Sequence, residues 1–452
     1  MVKEKLNYEN YALEILKYIK DNQTEEFREL FLSIHPTNQI SIFVQLNQPL
    51  RKRLYQMISA EEFAPVFEGL EPEKQKQVIF ELDHKDLVAL LNTLPTDEIT
   101  DFLANQEKQD VTRLLNAMDK KRAMVIRELL SYPLETAGGI MAKEFMAVHT
   151  TDKAGDVIDN LRFKAPNAET IYYLYVLDQQ SRLVGVLSLR DLIVAPVFET
   201  VENIMRTDLV TVTTSMDQED VAKVMKRYDF LAVPVVTKDN ILTGIITVDD
   251  VMDVMDEEVA EDFDEFTAAN GGMDINISSF KAARKRAPWI ILLLIFGLIT
   301  GSIIRQFEQA LEEVVLLAVF IPLIMDSAGN VGTQSLAVVV RAIATDTFAK
   351  KGLLHAVKRE FFTGLLLGVS TALFLFVVIP ILYGNFMLSV IVAVSLLLTL
   401  SVSAIVGSVI PVIINKINLD PAIASGPFIT TINDILGLSI YFTIATHLLS
   451  YL

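Results

Sequence analysis

The residues able to do chemistry in this chain are carboxylates placed where carboxylates are costly. Asp434 stands in FITTINDILGLSIYF, an apolar run with no other charge, and an ionisable group in such a run is by default a functional candidate. Thr430, Thr431 and Asn433 add neutral oxygens beside it. The competing reading is an Asp paired with a base on another helix. A second run, PLIMDSAGNVGTQS (322–335), mixes Asn330, Thr333 and Gln334 with Gly329, Gly332, Ser327 and Ser335. The small residues allow close helix contact, but packing accounts poorly for the amides. Asp326 sits towards one end of that run with an open role. Upstream, ten Asp or Glu and no base occupy Asp249 to Glu265. On a helix, Asp250, Asp253, Glu257 and Glu261 share one face, which repels itself unless cations bind. The bland alternative is a solvated face. One carboxylate among neutral oxygens suits an ion that sheds water reluctantly, as Mg2+ does, better than a cage of carboxylates.

Other chemistries are poorly served. There is no Cys, so no thiolate site, and the five His (35, 84, 149, 355, 447) have no metal-ligand spacing. No G-x-x-x-x-G-K-[ST] sequence occurs, and the acidic run lacks the glycine-centred EF-hand loop. A net charge of −18 argues against nucleic acid as a partner. No catalytic constellation stands out, so an enzyme is not expected.

The elements that must position these groups fall into two halves. Of 57 acids only eight lie in 288–452, beside seven bases, which leaves −17 of the −18 net charge on 1–287. Five stretches are long and apolar enough to cross a bilayer: about 288–304, 314–340, 361–383, 387–415 and 424–451. Lys281, Arg284, Lys285 and Arg286 precede the first, and Arg341, Lys350, Lys351, Lys358 and Arg359 flank the second link. The excess of bases on one side predicts a cytoplasmic N-terminus and an outside C-terminus in the cell membrane. The N-terminus has no apolar core of a signal peptide.

Residues 1–132 read as stacked short helices and 133–256 as an α/β internal repeat, VGVLSLRDLI (184–193) recurring as TGIITVDDVM (243–252). Residues 257–287 are expected to form a linker helix, acidic and then basic, and 288–452 a membrane domain of five spans. Cation binding to the acidic face would make that linker a switch: repulsion opens it and bridging ions close it.

These segments, in this order, resemble the MgtE family of Mg2+ channels and transporters over nearly the whole chain. The matching residues are ETAGGIM (135–141), AETIYYLYVLD (168–178), GVLSLRDLIV (185–194), YDFLAVPVV (228–236), GNVGTQS (329–335) and DPAIASGPFITTINDILGLSIYF (420–442). The repeat is similar to a CBS-domain pair. The resemblance implies a homodimer with a pore lined by spans two and five, where Asp434, Asn330, Thr430 and Asn433 meet a hydrated ion. It also implies regulatory Mg2+ sites at Asp97, Asp217, Glu219, Asp229, Asp250, Asp253, Glu258, Glu261 and Asp262, with Asp420 near the inner mouth, and ATP in the CBS pair at Arg190 and Asp191. The chain departs from the family pattern at Gly426, where Asn precedes the Pro of span five, and at Ala328, the first Gly of a Gly-Gly-Asn.

The function so implied is Mg2+ uptake through a cation-selective path closed by cytosolic Mg2+, with Mg2+, membrane lipid and a second copy of the chain as partners. A divalent exporter or an ion-coupled transporter is the alternative. A membrane-anchored enzyme lacks its constellation, and a nucleotide sensor on an inert anchor leaves Asp434 unexplained.

Overall fold

The structure is a computed structural model that describes residues 2–165, 168–268, 277–344, 352–417 and 426–448. The chain divides into two compact units, Met1–Asp256 and Glu257–Leu452.

Among the described residues the first unit opens with ten short helices, from Val2–Asp21 to Lys120–Leu129. Their starts are written locally. Pro36 and Pro72 occupy first-turn positions, where a missing N–H costs nothing. Ser59 and Glu62 form a capping box ahead of Ala60–Glu68. The inward faces share one core that includes Phe27, Phe31, Phe43, Phe63 and Phe67. Inside it Arg51 pairs with Glu81, which also accepts from Tyr55 Oη at 3.2 Å, while Arg51 Nη1 donates to Leu46 O at 2.6 Å. A buried ion pair persists only when its remaining groups are bonded in this way.

The repeat follows as two sheets of the same topology. β1 (Ala147–His149) pairs parallel with β2 (Tyr173–Leu177), which pairs antiparallel with β3 (Leu183–Ser188). β4 (Val212–Thr213), β5 (Ala232–Val236) and β6 (Leu242–Thr247) repeat the pattern. Even the irregularities recur: the register shifts at Val176/Leu177 and at Val235/Val236, and the hairpin turns hold Ser181 and Asn240 at φ 61°. Asn240 also joins the halves, its Nδ2 donating to Leu183 O at 2.7 Å.

The expected linker helix over 257–287 takes a different form. Asp250 Oδ2 accepts from Thr247 N at 2.9 Å and from Thr247 Oγ1 at 2.6 Å, so a helix starts directly at the end of β6 and runs over Val248–Phe266. The division between the two units falls within this helix. The basic segment belongs instead to the first span: Ser278 caps a helix over Ser279–Gln306, in which Lys281 to Arg286 form the first turns.

Among the described residues five helices of the second unit are long and apolar enough to cross a membrane: Ser279–Gln306, Leu316–Ile343, Leu354–Tyr383, Phe386–Lys416 and Gly426–Leu448. This is the expected count. The first is longer than its apolar run because capped basic turns extend it. Span four is the central one, burying residues such as Ser395, Thr399, Ala404 and Gly407 along its length. Spans two and four meet backbone to backbone at one point, where a Cβ on Gly407 would lie 2.1 Å from Gly332 O.

Candidate functional site

In the second unit the polar segment of span two lies along span five. A Cβ on Gly329 would stand 2.7 Å from Thr430 Cγ2, and one on Gly332 1.9 Å from Asn433 Nδ2, so both positions need glycine for the helices to touch. Asn433 is 0% exposed, and its amide has no hydrogen-bond partner. It fills the helix contact and presents no surface to an ion. Thr430 is partly buried, its hydroxyl donating to Gly426 O at 2.9 Å.

Asp434 is half-buried, Oδ1 has no hydrogen-bond partner, and the Asp326 carboxylate lies within electrostatic reach. Asp326, Asn330 and Gln334 follow one another at i, i+4 and i+8 and are exposed, so they form a polar stripe on span two. A carboxylate and two amides facing hydrocarbon would cost several kcal/mol, on the order of 2–3 for the acid alone. This face therefore requires water or protein against it.

The last turn of the acidic helix belongs to the same unit. Phe266 packs in a cluster with Leu336 and Val340 of span two, Ile410 and Ile414 of span four, and Phe428 and Ile429 of span five.

In the first unit a second group of carboxylates assembles. Asp97, near the start of the helix Thr96–Ala104, is 5% exposed, and its Oδ1 is buried without a hydrogen bond. Burial, then the charges of Asp250 and Glu169, push its carboxyl well above the usual range. Burial and then Glu68, Asp101 and Asp250 raise Glu98 to about 8; burial and then Asp250 and Asp249 raise Glu169 to about 7. Burial also raises Asp250 and, with Asp249 and Asp256, Asp253. Carboxyls held above their ordinary values by burial and by one another's charge are short of positive charge. Among the described residues no three Asp, Glu or His side chains stand close enough to hold a metal directly, so a cation here would keep most of its water, as Mg2+ does.

Of the regulatory residues expected from sequence, Asp97 and Asp250 come together. Asp217 is an N-cap, its Oδ1 accepting from Glu219 N at 2.9 Å, while Glu219 pairs with Lys223 at 3.0 Å. Asp229 closes that same helix in a left-handed conformation, φ 53°. Asp253 and Glu261 are exposed on the acidic helix, and Glu258 and Asp262 partly so. Asp420 lies outside the described residues. Glu68, Glu98 and Glu169 were not anticipated. They come from three separate segments, spread over 68 to 169, and carry no local signal.

A cavity of 880 Å³ opens in the repeat. Arg190, Asp191, Arg206 and Asp208 supply its charges, Tyr228 and Phe230 stack at 5.4 Å within it, and Arg206 Nε lies 3.8 Å from Asp191 Oδ2.

Five membrane-spanning helices with a polar stripe and a carboxylate, joined to an α/β repeat and a carboxylate cluster, define a multi-pass membrane protein built around cations. Family models agree: one described as a divalent cation transporter matches residues 321–444, the MgtE intracellular N domain matches 34–135, and the CBS domain matches 137–197 and 201–257. The chain is 37% identical over 443 residues to the magnesium transporter MgtE of Bacillus subtilis, covering 98% of each. It is 39% identical over 448 residues to that of Enterococcus faecalis, again covering 98% of each. Two solved structures resemble the first part of the chain. The soluble part of a magnesium transporter is 38% identical with a TM-score of 0.54, covering 56% of this chain and 99% of that one. The cytosolic domain of the Mg2+ channel MgtE in complex with ATP is 36% identical with a TM-score of 0.51, covering 54% and 99%. The chain belongs to the MgtE family.

Proposed function

We propose that this chain moves Mg2+ across the cell membrane as a homodimeric channel, N-terminus in the cytoplasm, and that Mg2+ on the cytoplasmic side closes it. The observation that carries the reading is the polar face of Asp434, Asp326, Asn330 and Gln334 on the otherwise apolar helices of spans two and five. A second copy set against that face would enclose a water-filled path, give each carboxylate a symmetry mate, and leave the remaining helix surfaces to lipid. An inside-negative potential would drive entry with about 2.3 kcal/mol per charge per 100 mV, twice that for a divalent ion.

The first unit supports the regulation. The cluster around Asp97 and Asp250 gains its missing positive charge when Mg2+ binds, and the helix that begins at Val248 beside Asp250 ends with Phe266 against spans two, four and five. Liposomes loaded with a Mg2+-sensitive dye, held inside-negative with no other gradient, test both parts. Wild-type flux tracks voltage and falls as Mg2+ on the face carrying the soluble unit rises. Asp97→Asn with Asp250→Asn raises the closing concentration roughly tenfold, since two charges are lost from one site. Flux that requires a proton or sodium gradient assigns coupled transport instead.

The cavity in the repeat suits a nucleotide, as does the ATP of the related cytosolic domain. Arg190 and Arg206 would meet phosphates, and Asp191 or Asp208 a ribose hydroxyl. Equilibrium dialysis with ATP gives saturable binding that Arg190→Ala weakens about tenfold; binding unchanged by that substitution moves the site elsewhere.

A further inference from the structure

The carboxylate cluster of the first unit contains a cation of its own. Arg122 lies on the helix Lys120–Leu129 with its side chain 19% exposed. Its Nε donates to Leu91 O at 3.1 Å, and its Nη1 stands 4.0 Å from Glu144 Oε1. Nη2 is buried and has no acceptor. Glu144 in turn accepts at Oε2 from Thr96 Oγ1 at 2.6 Å and from Lys143 N at 3.1 Å, and Thr96 immediately precedes Asp97. Lys143 Nζ is 2.9 Å from Glu128 Oε1. The guanidinium is thus tied through Glu144 and Thr96 to the start of the Asp97 helix, and the charge of Asp97 acts on it after that of Glu144. The charges acting most strongly on Asp97 are those of Asp250, Glu169 and Glu98, all negative.

A fixed guanidinium with a buried, unpartnered Nη2, within electrostatic reach of a buried carboxylate whose Oδ1 is also unpartnered, has a consequence for a divalent ion. It supplies part of the positive charge that the cluster lacks, and it repels any cation that arrives. We propose that Arg122 is the resident counter-cation of the Asp97 cluster and sets the Mg2+ concentration at which that cluster fills. This rests on the reading of the cluster as a Mg2+ site. Arg122 is a positioning and tuning residue, since it pairs with Glu144 and acts on the cluster through its charge, not by touching the ion.

The sign separates this role from a structural one. Limited proteolysis of the full-length chain in proteoliposomes, across a Mg2+ titration, reads the midpoint of protection of the soluble unit. Arg122→Gln and Arg122→Met lower the midpoint roughly threefold to tenfold, because the site becomes more negative. Arg122→Lys, which keeps the charge but not the bond to Leu91, stays near wild type. A guanidinium that merely buttresses the Thr96–Ala104 helix gives the opposite result, with the midpoint rising or unmoved in Arg122→Gln and Arg122→Met, and that outcome overturns the proposal. Protection in the wild type that ignores Mg2+ overturns the cluster's reading as well, so the two failures are distinguishable.

Discussion

Asp434→Ala abolishes Mg2+ flux in liposomes while leaving the protein folded. A hydrated divalent ion passing about 4.5 Å from a carboxylate gains about 2 kcal/mol even at the dielectric of water, and each 1.4 kcal/mol is tenfold in occupancy. With the symmetry mate that the proposed dimer supplies, and with apolar spans lowering the local dielectric, the loss exceeds about a hundredfold. Asp434→Asn keeps the shape and loses the charge, so it resembles Asp434→Ala. Asp326→Asn, at an exposed position on span two, reduces flux less. The measurement is dye-reported Mg2+ entry at fixed inside-negative potential, with elution volume in detergent as the check on folding. Equal flux through wild type and Asp434→Ala would make this carboxylate structural and move the path to another face of the unit.

Gly407→Ala disrupts the membrane unit. Its new methyl would lie 2.1 Å from Gly332 O, 2.9 Å from Gly332 C and 3.1 Å from its Cα, all backbone atoms. No rotamer relieves the clash, so spans two and four must separate by about 1 Å, a shift that costs about 3 kcal/mol in a packed interior. Span two also carries Asn330 and Gln334, so displacing it lowers both thermal stability and flux. Gly297→Ala is the control: a Cβ there meets nothing within 4 Å, and on a helix alanine is if anything preferred to glycine. A thermal unfolding series in detergent with Gly407→Ala matching wild type would show that the contact between these spans is looser than the structure has it.

What was legible in the sequence was what a solvent imposes residue by residue. A bilayer demands about 20 apolar residues per crossing, so the number of spans could be counted, and an acid in such a run stands out without any partner being known, as Asp434 does. The repeat was legible because VGVLSLRDLI recurs as TGIITVDDVM, whereas the matching left-handed turn residues Ser181 and Asn240 emerged only in the structure. The segment GNVGTQS announced close packing, but not which helices met there. Asn433 reads as an oxygen ligand from its type alone; its neighbour Gly332 and the depth of the contact between spans two and five bury it completely. Likewise the acidic run predicts a cation-binding face, whereas the cluster that assembles draws Asp97, Glu98 and Glu169 from distant segments onto Asp250, with Arg122 beside them. Periodicity reports which side of an element faces inward, and composition reports which solvent that element meets. Which charges become neighbours depends on how separately formed elements dock, and a term that falls off with distance cannot be read before the distances exist.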